Sequence, residues 1–196
     1  MRILSSGVDP ERFFPQPQKK ARATLGWDPA TPVVLFNAAG SWWVKRPALA
    51  HAAVRYARQW VPHLRIEVMD GSTPPEQVPL LMNAADGLLL TSASEGSPTV
   101  VQEALACGLP VVSVRVGDTP ELLADGKTGI LARDNAESLA AALCQVLAEP
   151  YRQQRSSGGR QVDIGTIAAP RIADELRKIY CAIEGRRQAR PFESKP

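Results

Sequence analysis

From Thr91 to Ser113 the chain reads TSASEGSPTVVQEALACGLPVVS. The run leading into it, GLLLTS (87–92), is apolar almost to its end, as a strand covered on both faces should be. Ser97-Pro98 then reads as a helix start. Serine accepts hydrogen bonds from the first unpaired amides, and proline suits the first helical position because its missing N–H would have had no partner there. Gly108 and Pro110 supply the stop, and VVSV (111–114) opens the next strand. Strand, loop, helix, tight turn and strand make the βαβ unit of a parallel sheet.

Turned at about 100° per residue, a helix over 98–107 places Val100, Val101, Ala104, Leu105 and Cys107 on its core arc, with Thr99 and Glu103 at the edge. The loop SASEGS leaves the carboxyl end of the strand, where open α/β sheets bind ligands. Unpaired amides at Gly96, Ser97 and after Pro98, and the positive end of the helix dipole, suit a phosphate there. Gly96 allows close approach of the backbone. A diphosphate in that position leaves Glu95 on one side and Glu103 on the other, the latter roughly 8 Å along the axis from the helix start. Both carboxylates can accept hydrogen bonds from sugar hydroxyls, and a nucleotide-sugar has a sugar at each end of its diphosphate.

The same alternation runs outward in both directions. PVVLFN (32–37), RIEVM (65–69) and GIL (129–131) read as strands, and 46–60, 76–84, 120–124 and 136–149 as helices. The expected fold class is α/β, a doubly wound parallel Rossmann-like sheet with helices on both faces. Asp134 and Glu137 read as a capping box for the stripe Leu139, Ala142, Leu143, Val146 and Leu147. Residues 1–22 read as a linker without helix or strand, 23–150 as the Rossmann-like domain, and 151–185 as a polar connector plus a helix from near Pro170. That helix should bury Ile172, Leu176, Ile179 and Ile183. Residues 186–196 read as a disordered basic tail.

Composition sets the bounds. The 196 residues are 44% apolar and 22% charged with a net charge of +3, values that argue for a globular domain and against nucleic acid as a partner. Cys107, Cys144 and Cys181 show neither a disulfide framework nor zinc-ligand spacing, and three reduced thiols imply a cytoplasmic protein. No apolar run reaches the ~18 residues of a membrane span. The basic tail leaves open peripheral contact with the inner face of a membrane.

The glutamate pair inside SASEGSPTVVQEALACGLPVVS, followed by VGDTPELLADGKTGIL and preceded by ADGLLLTS and SGVDPERFFP, resembles the GT4 family of retaining glycosyltransferases with the GT-B fold. That resemblance implies one half of a GT-B fold, the donor-binding half. It implies transfer of a sugar from a nucleotide-diphosphate-sugar with retained configuration and no metal. No DxD occurs, and His51 and His63 lack ligand partners in the sequence. By the same likeness Glu95, Lys45 and Arg46 are catalytic. Glu95, Gly96, Ser97, Pro98, Thr99, Glu103, Gly71 and Gly117 bind the donor, Glu103 through the ribose. A missing N-terminal domain holds the acceptor, a sugar or glycolipid. The chain departs from the family in two places. Ala39 stands where relatives carry a phosphate-binding arginine, with Arg46 as the candidate substitute, and the interval from Asp70 to Asp86 is short.

Other readings compete. Glu95 and Glu103 as the acid and nucleophile of a glycoside hydrolase would have to face each other across one bond. A non-catalytic nucleotide-binding module, or the partner subunit of a two-chain enzyme, fits the same residues. Trp42 and Trp43 read as an exposed aromatic patch in a loop, Asp118 as a helix cap and Glu121 as a dipole partner.

Overall fold

The computed structural model describes residues 7–148 and 167–188, except for the side chains of 182–188. Five parallel strands form one sheet: β1 (Val33–Asn37), β2 (Arg65–Met69), β3 (Gly87–Leu90), β4 (Val111–Val114) and β5 (Gly129–Ala132). Their order is β2-β1-β3-β4-β5. The helices are α1 (Gln18–Leu25), α2 (Trp42–Lys45), α3 (Pro47–Ala57), α4 (Val78–Ala84), α5 (Thr99–Ala106), α6 (Thr119–Leu122), α7 (Ala136–Leu147) and α8 (Ala169–Gln188). A single 3-10 turn, Pro75–Gln77, precedes α4.

The helices fall into two layers. Helix α3 packs on α7, which lies over β3, β4 and β5, while α1, α4 and α5 form the other layer, with α5 against β3 and β4. The apolar strand runs explain the arrangement, since β1, β3 and β4 bury nearly every residue. The connection from β1 leaves toward β2 and that from β3 toward β4, so the strand order reverses between β1 and β3. The crevice at their carboxyl ends is the topological switch point, where this sheet architecture binds ligands.

Four expectations change. The segment read as a linker carries structure: α1 begins at Gln18, so the boundary drawn at 22/23 falls inside it. Phe13 and Val8 are buried, and Val8 pairs with Ile167–Ala169 in an isolated parallel bridge. The side chain of Asn83 holds this segment, accepting from the Gln16 amide at 2.7 Å and donating to the Phe14 carbonyl at 3.1 Å. Helix α7 is capped by Asn135, whose side chain accepts from the Ser138 amide at 2.8 Å, and not by Asp134. Trp42 and Trp43 belong to the short helix α2. In α8 Ile172 is buried but Leu176 is exposed, and the helix runs on through 186–188, read earlier as tail. The polar connector read at 152–161, the tail from 189 and the Ile183 side chain lie outside the described residues.

Arg22 explains how α1 is fixed. Its guanidinium meets Asp86 at 2.6 Å and donates to the carbonyls of Ala84 and Pro29 at 2.9 and 2.8 Å. Asp86 in turn accepts from the Val33 amide at 2.7 Å and from the Gln18 side chain at 3.0 Å. Both charges are buried, and such a pair is tolerated only when its remaining donors and acceptors are satisfied.

Candidate functional site

The loop after β3 and the turn after β1 meet at the switch point. Gly40, at φ +106, opens the turn into α2 in a conformation that side-chain-bearing residues avoid. Helix α2 is then tied to the β3 loop on several sides. The Ala93 amide donates to the Val44 carbonyl at 2.8 Å, the Thr91 hydroxyl to the Lys45 carbonyl at 2.7 Å, and Arg46 Nε to the Thr91 carbonyl at 2.6 Å. This brings Lys45 Nζ to 2.6 Å from Glu95 Oε1, with the two side chains only 14% and 17% exposed.

Arg46 goes elsewhere. It adopts φ +52, the one left-handed non-glycine backbone among the described residues, and its guanidinium pairs with Asp134 at 2.8 Å. Asp134, read as a helix cap, is therefore an ion-pair partner. Of the two cations, Lys45 is the one that meets Glu95.

Helix α5 starts at Thr99, one residue later than expected, after Pro98 in extended conformation and without a side-chain cap. The Ser97 hydroxyl donates to Asp118 Oδ2 at 2.6 Å and accepts from the Gln102 side chain at 2.7 Å. Asp118 and Gln102 are buried, so their need for partners outweighs what a cap contributes. Asp118 is thus a buried hydrogen-bond acceptor behind the loop, not a cap of α6. Gly117, at φ +54, lies against the same loop, and a Cβ there would run into the Gly96 carbonyl oxygen. Close approach of 117 to 95–96 is what this glycine secures.

Gly96 and Thr99 are exposed at the start of α5, and Pro98 is buried beneath them. Glu103 is half-buried, and desolvation raises its carboxyl above the ordinary glutamate range, with Arg12 opposing that shift. Gly71 falls in the exposed turn after β2, which is separated from β3 by β1 in the sheet. The structure thus gathers Lys45, Glu95, Gly96, Ser97, Thr99 and Gly117, sets Glu103 further along α5, and leaves Gly71 apart. Sequence reading missed Gln102 and the role of Asp118. The available signal was a glutamine on the helix otherwise lined with valine, alanine and leucine.

Known proteins share this architecture. Residues 67–162 match the family Glycosyl transferases group 1. D-inositol 3-phosphate glycosyltransferase of Segniliparus rotundus is 29% identical over 209 residues, covering 92% of this chain and 46% of that protein. The chain spans about half the length of the curated relatives it matches. Sucrose-phosphate synthase from Thermosynechococcus elongatus superposes with a TM-score of 0.76 at 21% identity, over 94% of this chain and 53% of that one. Anabaena Alr3699/HepE in complex with UDP-glucose gives 0.73 at 20% identity, over 92% and 57%. These two likenesses speak to the fold, and the family match extends from β2 through α7: the chain carries a domain of the glycosyl transferases group 1 family.

Proposed function

We propose that this chain supplies the nucleotide-sugar site of a GT4-type retaining glycosyltransferase that works without a metal ion, the acceptor being held by a second domain. The observation that carries the reading is the Lys45–Glu95 pair at the switch point, beside the exposed start of α5. A diphosphate seated at Gly96–Thr99 draws Lys45 away from Glu95, since a doubly charged oxyanion outcompetes a single carboxylate. Released, Glu95 accepts hydrogen bonds from hydroxyls of the transferred sugar. Lys45 and the amides of the loop stay with the diphosphate as it leaves, fixed positive groups at the place where negative charge develops. Glu103, further along α5, accepts from the ribose hydroxyls, and its raised pKa leaves a carboxyl that gains from such donors. The acceptor is a sugar or glycolipid. The three cysteines, Cys107, Cys144 and Cys181, have neither disulfide-framework nor zinc-ligand spacing, which fits a reducing, cytoplasmic setting. Contact with the inner face of a membrane belongs to the same proposal.

Titration calorimetry tests this directly. The expected result is binding of a nucleoside diphosphate, with UDP the first to try because HepE is seen with UDP-glucose, alongside GDP and ADP. Absence of heat with all three at millimolar ligand overturns the reading. Binding to full strength with no sugar transfer, even with the acceptor domain present, would instead favour a nucleotide-binding module.

A further inference from the structure

A second cleft lies at the opposite end of the sheet. It has a volume of about 590 Å³ and sits beneath the amino ends of β1 and β2, lined by Asp28, Thr31, Arg58, His63 and Arg65 among others. Five strand residues separate the two ends, about 16 Å, so this cleft is distinct from the switch-point crevice.

Its chemistry is one-sided. Two guanidiniums and an imidazole face a single lining carboxylate. That carboxylate, Asp28, is already occupied: its oxygens accept from the Ala30 amide at 3.1 Å and the Thr31 hydroxyl at 2.6 Å. Those bonds, the Thr31 one first, lower its pKa, so it stays ionised and has little left to offer the arginines. The Arg65 guanidinium is stacked on Trp27, 4.4 Å from the ring centroid. Its Nε and Nη2 are shielded from solvent and make no hydrogen bond, and the nearest carboxylate oxygen, on Glu67, is 3.6 Å from Nη2. Arg58 is held by its own Nε, which donates to the Leu64 carbonyl at 2.8 Å. The Arg65 side chain as a whole is 42% exposed, and a stacked, pre-oriented guanidinium is suited to a phosphate.

We propose that this cleft is a second ligand site that takes a phosphate ester, with Arg65, Arg58 and His63 donating to its oxygens. The cleft is larger than a bare phosphate, which leaves room for an esterified group. A phospholipid headgroup and a soluble sugar phosphate share this chemistry.

Backbone amide NMR of the chain, titrated with inorganic phosphate at constant ionic strength, resolves the site from the one beside Glu95. The expected result is saturable shifts at residues 58–65 that weaken at least tenfold in affinity in Arg58→Gln/Arg65→Gln. Arg65→Lys, which keeps charge but loses the planar fork, should fall between. Shifts confined to 95–99, or shifts at 58–65 unaltered by the double substitution, overturn the proposal. Co-sedimentation with phosphatidylglycerol-containing vesicles against pure phosphatidylcholine, set beside titration with glucose 1-phosphate, assigns the source. Arginine-dependent capture by the vesicles marks a headgroup, and arginine-dependent binding of glucose 1-phosphate a soluble ester; neither responding overturns the ester assignment. The UDP titration of the double variant is a separate control. It should match the unsubstituted chain, whichever way the donor-site reading falls.

Discussion

Lys45 and Glu95 hold each other at 2.6 Å, so an anionic ligand at the start of α5 has to divide them. Glu95→Gln leaves the lysine uncommitted, and UDP affinity is expected to rise by about tenfold, the equivalent of one charge-assisted hydrogen bond (~1.5 kcal/mol). Lys45→Met should lower it by a similar factor, both read by calorimetry. Glu103 gives an independent check through pH. Its folded-state pKa lies above the unfolded value because burial disfavours the carboxylate. In that window the folded state binds more protons, so stability falls as pH rises through it. Glu103→Gln is therefore expected to be more stable than the parent at neutral pH, with the difference vanishing below the ordinary glutamate range. Urea midpoints at several pH values would show it, and an equal difference at all pH values would contradict it.

Elements are held at their joints. Gly117 combines a left-handed backbone with contact to the Gly96 carbonyl. In Gly117→Ala the conformation alone costs about 1–2 kcal/mol, and the added methyl pushes the 95–97 loop outward. Loss of UDP binding together with a lowered thermal midpoint is the expected outcome. Asp86→Ala strands the buried Arg22 guanidinium and should destabilise by about 3–5 kcal/mol in denaturant titration. These joints also mark where the sequence stopped being legible. Strand and helix positions follow from periodicity because each element is a local pattern, and β3, α5 and β4 stand within two residues of their expected places. Arg22–Asp86, Ser97–Asp118 and Arg46–Asp134 join residues 21 to 88 positions apart, and spacing says nothing about such pairs. Ser97 read as a cap because serine before proline usually is one. A buried carboxylate that needed its hydroxyl decided otherwise.

At the scale of the molecule the strand order places one crevice at the carboxyl ends of β1 and β3 and another cleft at the amino ends of β1 and β2. The glutamate pair, its loop and the helix behind it were readable because they lie within one βαβ unit. The amino-end cleft was not, since it draws on the α1–β1 loop, the end of α3 and β2 together. Among the described residues no helix is long and apolar enough to cross a membrane.

The mutual neutralisation of Lys45 and Glu95, echoed by Arg46 and Asp134, has a kinetic corollary. With opposite charges cancelled at contact distance, the crevice projects little field into solvent, and counterions beyond a Debye length of about 8 Å at physiological salt have nothing to screen. Capture of a nucleotide should thus proceed at a rate nearly flat with ionic strength in stopped-flow mixing. Added salt should instead hasten release.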